Sequence, residues 1–323
     1  MPTVAIVTPV YATPENDRLK YFRHTVNSVL RQNHRNIVHI VVDDGSTVDV
    51  ASFLQDYHDP RIRYLKREKS VDDLRTASNA LNMGIDYCLV KDGNIFAANE
   101  TRDLTAVTFV HSDDLLTEDS IAMRVSGLPS GFIFTDMGQF NNGGRRIQIK
   151  KGSAKSVGDR TYALRNPMAF NHHTIMWNLP FLHYLKEFVA RKYDQQGVFD
   201  SKLFHGEDRD MSLSSSEAAI EGGFEVAYVP LISVMYRQHS LSISGEVDPE
   251  QLAIQHDLNS MKHFGSPQQD RSLERMLSNL PWSLGAFLPK EIKQRIRPIK
   301  DLVEDVRLHV TKPHLYIRLV KQI

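Results

Sequence analysis

The chain of 323 residues contains one cysteine, Cys88. No disulfide can therefore form within it, a reducing compartment is expected, and Cys88 is best interpreted as a small buried apolar residue. The chain also has no run near the ~20 apolar residues that a membrane-spanning helix needs. Its first residues are neither basic nor strongly apolar, so no signal peptide is expected. These absences predict a cytoplasmic protein.

The sequence shows no excess of charge of either sign. Lysine and arginine together number 39, as do aspartate and glutamate, which leaves a formal net charge of zero. This balance argues against broad binding of nucleic acids. The content of 41% apolar and 24% charged residues is typical of a globular protein, and the length predicts one large domain with an appendage.

Short apolar segments alternate with helical patterns along the first half of the chain. Residues 4–10 and 37–42 are almost continuously apolar, as in strands covered on both faces of a parallel sheet. Further strands are predicted at 61–65, 105–110, 131–137, 225–229 and 232–236, and helices at 19–30, 74–85, 181–190 and 211–220. Asparagines and glycines at 141–144 predict a hairpin turn. The fold class is therefore α/β.

Acidic side chains follow two of these predicted strands. Asp43 and Asp44 follow the second strand, and Asp113 and Asp114 follow the strand at 105–110. Carboxylates crowded at a sheet edge need a compensating cation, and a divalent ion such as Mn²⁺ or Mg²⁺ suits oxygen ligands. The alternative is that the first pair merely begins the next helix, with Ser46 or a neighbour as its N-cap.

Polar residues later in the chain suggest acid–base chemistry and phosphate binding. Glu207 and Asp208 precede a predicted helix, where one could act as a general base, although the helix dipole alone also favours acids there. Arg237 suits a bidentate grip on phosphate, and His239 suits a metal or a phosphate. Arg75 could also face a phosphate, the alternative being a solvated helix face.

The order of these motifs resembles that of the family 2 glycosyltransferases, which have the GT-A fold, over roughly residues 3–245. The matching segments are TPVY, VVDDGST, RTASNALNMG, VHSDD, GEDRD and YRQHSLSIS. The resemblance implies a GT-A catalytic domain with a mostly parallel central sheet at 1–245. That domain would comprise a nucleotide-binding half at 1–137 and an acceptor-side half at 138–245, followed by a helical extension at 246–323.

The resemblance also implies an activity of the bacterial surface-glycan type. An inverting enzyme would transfer a hexose from a nucleotide-diphosphate sugar, preferably UDP-linked, to a hydroxyl of a glycan or lipid-linked glycan, with Mn²⁺ or Mg²⁺. The donor-binding residues implied are Pro9, Tyr11, Asp43, Asp44, Arg75, Asn82, Ser112, Asp113 and Arg237. The implied metal ligands are Asp113, His239 and Asp114, the implied base is Asp208 beside Glu207, and His172 and His173 either line the acceptor pocket or serve packing.

Two positions depart from the family's pattern. His111 stands where an acidic residue is frequent, which puts a ribose contact there in doubt, and Ala12 replaces a usual asparagine. A degenerate domain kept for binding or scaffolding therefore stays an alternative. A sugar-phosphate nucleotidyltransferase is a second alternative, disfavoured because the loop at 11–15 lacks glycine and arginine.

The last 34 residues, 290–323, are basic. They contain nine lysines or arginines and four acidic residues, a net charge of +5 (nine minus four). Apolar residues recur there at helical spacing, so the segment could lie on the inner face of an anionic membrane. The favoured alternative is that its apolar stripe packs on the catalytic domain or on a second copy, because Pro298 and Pro313 interrupt it.

Overall fold

A computed structural model describes residues 1–69, 76–89, 104–141, 146–152, 171–203, 206–239 and 262–263. This part of the chain contains the strands β1 (Thr3–Val10), β2 (Ile37–Asp44), β3 (Ile62–Arg67), β4 (Leu104–Phe109), β5 (Leu115–Leu116), β6 (Phe132–Asn141), β7 (Arg146–Lys150), β8 (Ile175–Asn178) and β9 (Val226–Gln238). Its helices are α1 (Arg18–Leu30), α2 (Val50–Gln55), α3 (Ser78–Leu89), α4 (Ser120–Ser126), α5 (Leu179–Tyr193) and α6 (Glu207–Gly222), with a 3₁₀ turn at His172–Thr174.

All of these strands belong to one sheet. Their order is β3-β2-β1-β4-β8-β6-β9-β5, and β7 pairs with β6. The strands β3, β2, β1 and β4 are mutually parallel, whereas β8 runs antiparallel to both β4 and β6. The predicted α/β class is confirmed, as is a parallel arrangement of the strands in the first half of the chain. Since parallel strands end at a common edge, the residues that follow β1, β2 and β4 meet there.

Helices cover both faces of this parallel sheet. Along β1 every residue is buried, and Val7 packs in the same cluster as Leu81 of α3. Val10 packs instead with Phe22 of α1 in a separate cluster, as expected when alternate side chains of a strand point to opposite faces. At Gly84 of α3 an added Cβ would lie 2.4 Å from Cγ1 of Val7, so only glycine permits this close approach of helix and strand.

One predicted strand boundary is wrong. Two strands were expected around Pro230, but β9 is continuous and passes through it. The register of β9 against β6 shifts there, because Val229 pairs with Thr135 and Ile232 pairs with Asp136. The two extra residues, Pro230 and Leu231, form a bulge, and proline, which has no amide hydrogen, is tolerated at such a position.

The beginning of α6 also differs from the sequence-based prediction. The apolar pattern starts at Met211, but the helix begins at Glu207, immediately after Gly206 with its positive φ of 80°. Glu207 and Asp208 therefore lie inside the first helical turn rather than before it. The helix ends at Gly222 and is followed by Gly223, which has a positive φ of 68°.

Cys88 is buried and forms no disulfide, as expected. Of the helices described, none is long and apolar enough to cross a bilayer.

The chain divides into two compact units, 1–269 and 270–323. The second unit lies outside the described residues. The predicted helical extension at 246–323 also lies outside them, except for Lys262 and His263.

Candidate active site

The ends of β1, β2 and β3 bring together an aromatic ring, a carboxylate and two cations. The ring of Tyr11 is 42% exposed, and Nζ of Lys69 lies 4.6 Å from its centroid. Asp44 is buried, and its Oδ1 is 2.9 Å from a guanidinium nitrogen of Arg67. The other oxygen of Asp44 lies 3.5 Å from Nζ of Lys69. The result is an accessible aromatic face beside a buried carboxylate and two cations.

Asp43 stabilises the loop that follows β2. Its Oδ1 accepts a hydrogen bond from the backbone N–H of Ser46 at 2.8 Å, and its Oδ2 accepts one from the hydroxyl of Tyr64 at 2.7 Å. The helix that follows is capped by Asp49, whose Oδ1 accepts from Ser52 N–H. The alternative of an N-cap at Ser46 or its neighbour is therefore wrong, because the helix begins later.

Other expected donor-binding residues have internal positions. Pro9 is buried within β1, and Ser112 is 5% exposed behind the end of β4. Asn82 of α3 donates from Nδ2 to the Phe199 carbonyl at 2.8 Å and accepts from Phe199 N–H at 2.9 Å. Both polar groups of Asn82 thus bind the backbone of Phe199 to α3. That Asn82 also lies near the diphosphate of a donor stays a prediction. Arg75 lies outside the described residues.

Asp113 lies between a histidine and an arginine. Its Oδ2 is 3.0 Å from Nε2 of His239 and forms a close ion pair with Arg18. Burial by itself raises the pKa of Asp113, but His239 and Arg18 outweigh it and lower the pKa to about 2. The ring of His239 stacks on Tyr21 with centroids 4.9 Å apart. Asp113 is therefore held ionised beside a fixed imidazole.

Arg237 and Asp114 support this pair from the interior. The guanidinium of Arg237 lies 4.5 Å from the Phe140 ring centroid, and its Nε donates to the Asp113 carbonyl at 2.8 Å. The backbone N–H of Arg237 donates to Oδ1 of Asp114, whose Oδ2 lies 2.7 Å from Nδ1 of His173. Since Asp114 is fully buried and both oxygens contact protein groups, its ligation of a metal stays a prediction.

The two acids that begin α6 differ in protonation. Asp208 contacts Nδ1 of His172 through Oδ1, and its Oδ2 accepts from Asn171 Nδ2 at 3.0 Å. Burial opposes ionisation of Asp208, but His172 and Asn171 prevail and lower its pKa. Burial and the neighbouring charge of Asp208 raise the pKa of Glu207 to about 8. At neutral pH the structure therefore pairs an ionised Asp208 with a mostly protonated Glu207.

Three histidine rings lie between the surroundings of Asp113 and those of Asp208. The Nε2 atoms of His111 and His172 are 2.7 Å apart, and the ring centroids of His111 and His173 are 4.3 Å apart. Burial lowers the pKa of His172 to about 4 and that of His111 well below its usual range. His111 stands two residues before Asp113, so a short path of contacts leads from Asp113 to Asp208. The two acids consequently belong to one connected group of polar side chains.

Comparison with known sequences places the chain in a family. The profile of the family described as "Glycosyl transferase family 2" matches residues 5–184, more than half of the chain. The chain belongs to glycosyl transferase family 2.

Relatives in this family are distant. Glycosyltransferase GlyG of Streptococcus pneumoniae is 32% identical over 120 residues, which cover 36% of this chain and 32% of GlyG. An uncharacterized glycosyltransferase of Rickettsia felis is 28% identical over 149 residues, covering 45% of this chain and 21% of the relative. This chain thus spans only a fifth to a third of the curated relatives that it matches.

Solved structures confirm the GT-A fold expected for family 2. The structure of S. aureus TarS residues 1–349 in complex with UDP-GlcNAc superposes with a TM-score of 0.56, covering 84% of this chain and 69% of TarS. A second structure of S. aureus TarS residues 1–349 gives a TM-score of 0.53. At 14% identity the likeness establishes the fold alone.

Several residues of the candidate site were not identified from the sequence. Arg67 ends β3 and Lys69 lies two residues beyond it, a spacing that brings both side chains to Asp44. Arg18 and Asn171 have no such signal, because each reaches its acid from a segment distant in sequence. His172 and His173 were expected either to line the acceptor pocket or to serve packing, and they are only 2% and 3% exposed.

The raised pKa of Glu207 makes protein stability depend on pH. Between the ordinary value of 4.5 and about 8, the folded state binds more protons than the unfolded state. The free energy of unfolding therefore falls as pH rises through this window. We expect the melting temperature of Glu207→Gln, minus that of the wild type, to increase from pH 4.5 to 8 and then level off. A difference that stays constant across this range in thermal denaturation would contradict the assignment.

Proposed function

We propose that this family 2 chain transfers a sugar from a nucleotide-diphosphate sugar to an acceptor hydroxyl, with inversion at the anomeric carbon. The observation that supports the proposal is the series of contacts from Asp208 through His172 to His111, which stands two residues before Asp113. A site with an acid at each end of this series can hold a charged leaving group at one end and activate an alcohol at the other. A glycan or lipid-linked glycan is the proposed acceptor.

The surface around Tyr11 is the proposed site of the nucleotide. A nucleobase can stack on the exposed ring of Tyr11, while Asp44 accepts hydrogen bonds from the nucleobase or the ribose. Lys69 and Arg67 add positive charge beside it. A UDP-linked donor is favoured, and TarS, which shares the fold, has been solved with UDP-GlcNAc.

Asp113 and His239 are the proposed ligands of a divalent metal. A carboxylate oxygen and an imidazole nitrogen lie 3.0 Å apart there, and the low pKa of Asp113 keeps it ready to ligate. The guanidinium of Arg18 already compensates the charge of this carboxylate, so a metal ion would replace it there. Mn²⁺ fits the mixed oxygen and nitrogen set better than Mg²⁺. When bound, the ion supplies charge stabilisation for the departing diphosphate.

Asp208 is the proposed general base. The protonation states separate the two acids of α6, because Asp208 is ionised at neutral pH and Glu207 is mostly protonated. Asn171 and His172 hold the carboxylate of Asp208 in one orientation, and its side chain keeps 28% exposure. An acceptor hydroxyl that approaches this face can lose its proton to Asp208 as it attacks.

Release of nucleoside diphosphate tests the function directly. The full chain would be incubated with UDP-, GDP- and dTDP-linked sugars and Mn²⁺, with and without glycan acceptors. Release that depends on one donor and increases with an acceptor is expected. Tight nucleotide binding without release from any donor would favour the binding or scaffolding alternative.

The stacking role of Tyr11 predicts the size of a binding loss. Tyr11→Ala should weaken binding of UDP by about 1–3 kcal/mol, because the base loses its aromatic platform. Tyr11→Phe keeps the ring and should bind within a few-fold of the wild type. Isothermal titration calorimetry with UDP measures both, and equal losses in the two variants would show that the hydroxyl, not the ring, matters.

A further inference from the structure

The histidines His111, His172 and His173 form a cluster whose nitrogens converge. One ring nitrogen from each lies within 4.8 Å of the others. His172 and His173 are buried on the 3₁₀ turn that precedes β8, and half-buried His111 approaches from the end of β4. The cluster therefore joins two separate segments of the chain beside Asp208.

The spacing is close to that of a tetrahedral metal site. Nitrogens bound to zinc at about 2.0–2.1 Å lie roughly 3.3 Å from one another, and never more than about 4.2 Å. The two Nε2 atoms of His111 and His172, now 2.7 Å apart, would separate by roughly 0.6 Å to reach this geometry. The largest separation in the cluster, which is at most 4.8 Å, would shrink by up to roughly 1.5 Å. Rotations of the three rings would make both changes.

Two of the histidines already have the carboxylate partners typical of metal-bound imidazole. Nδ1 of His172 contacts Asp208, and Nδ1 of His173 lies 2.7 Å from Asp114. Histidines that ligate a metal usually donate their other ring N–H to a carboxylate, which orients the ring and increases its basicity. Asp208 thus orients the ring of His172 from behind, and Asp114 lies against the ring of His173.

A metal ion could replace the proton shared between His111 and His172. With its Nδ1 proton directed at Asp208, His172 presents the lone pair of Nε2 to Nε2 of His111. These two atoms can share a hydrogen bond only if His111 contributes a proton. We propose that His111, His172 and His173 bind a divalent cation of the zinc class, which takes the place of that proton and accepts a lone pair from each ring.

The ligand chemistry separates this site from the pair Asp113 and His239. Imidazole nitrogens suit Zn²⁺ or Co²⁺, whereas a carboxylate with phosphate oxygens suits Mn²⁺ or Mg²⁺. None of the three histidines is shared between the two sites. The zinc-class site exists in this proposal whether or not the protein transfers sugar.

Cobalt provides a readout other than activity. The full chain, freed of metal with a chelator, would be titrated with Co²⁺ and monitored by visible absorption. One equivalent should produce the intense bands of a four-coordinate ion, and Zn²⁺ should displace them. His111→Ala should abolish the bands, and Asp208→Ala should weaken Co²⁺ binding by about 10–100-fold through the loss of the partner of His172.

Matched variants make the result decisive. His183→Ala removes an exposed histidine of α5 and should leave the bands unchanged, as should His239→Ala. Because a cavity at residue 111 could disturb folding, His111→Gln and circular dichroism of every variant accompany the titration. Weak six-coordinate bands in the wild type, or four-coordinate bands that survive both substitutions of His111, would overturn the proposal.

Discussion

Asp208→Asn is expected to reduce sugar transfer by about 10²–10⁴-fold, while UDP binding stays within a few-fold of the wild type. Asparagine keeps the shape of the side chain and can still contact Asn171, but it cannot accept a proton from the attacking hydroxyl. Initial rates of transfer and calorimetry with UDP measure the two quantities. Asp194→Asn is the matched control, because this residue ends α5 with a positive φ of 51° that asparagine tolerates.

The neighbouring acid offers a direct competitor for the role of base. With a pKa of about 8, Glu207 carries a proton over most of the neutral range and cannot accept another. If Glu207 were nevertheless the base, Glu207→Gln would lose more activity than Asp208→Asn at pH 7. Transfer by Asp208→Asn within a few-fold of the wild type would exclude Asp208 by itself.

The sequence was sufficient to predict the parallel half of the sheet, for a physical reason. Strands covered on both faces, such as β1 and β2, are continuously apolar, and this pattern is independent of distant residues. Short elements had no comparable signal. β8 has four residues, β5 has two, and each depends on pairing with strands far along the chain.

The start of α6 shows why functional segments are harder to predict. Apolar periodicity marks only the part of a helix that packs against the core, and this part begins at Met211. The preceding turn carries Glu207 and Asp208, which are not part of the apolar periodicity. Candidate residues could be proposed there from their chemistry, but their place inside the helix depended on Gly206, whose positive φ ends the preceding loop.

Long-range partners of the candidate site had no sequence signal at all. Asp113 could be recognised as an acid at the end of a strand, but its ion pair with Arg18 joins segments 95 residues apart in the chain. The contact of His111 with His172 likewise joins β4 to the 3₁₀ turn. Spacing within one segment cannot predict such contacts, because they depend on the topology of the whole sheet.

The substitution Asp113→Asn is expected to abolish the response of the protein to Mn²⁺. The amide has no charge to hold a divalent ion, and it leaves the cation Arg18 without its buried partner. We expect transfer to fall by at least the 10²-fold typical of a lost electrostatic stabiliser, and the Mn²⁺-dependent gain in UDP affinity to disappear. Calorimetry of UDP with and without Mn²⁺, together with initial rates, measures both effects.

Loss of folding has to be separated from loss of the metal site in this experiment. The double variant Arg18→Met with Asp113→Asn removes the unpaired charge as well as the carboxylate. If this double variant regains the thermal stability of the wild type and still shows no response to Mn²⁺, the carboxylate itself is required for the ion. A normal Mn²⁺ response in either variant would assign the metal to other residues, because the pair of Asp113 and His239 would then lack its carboxylate.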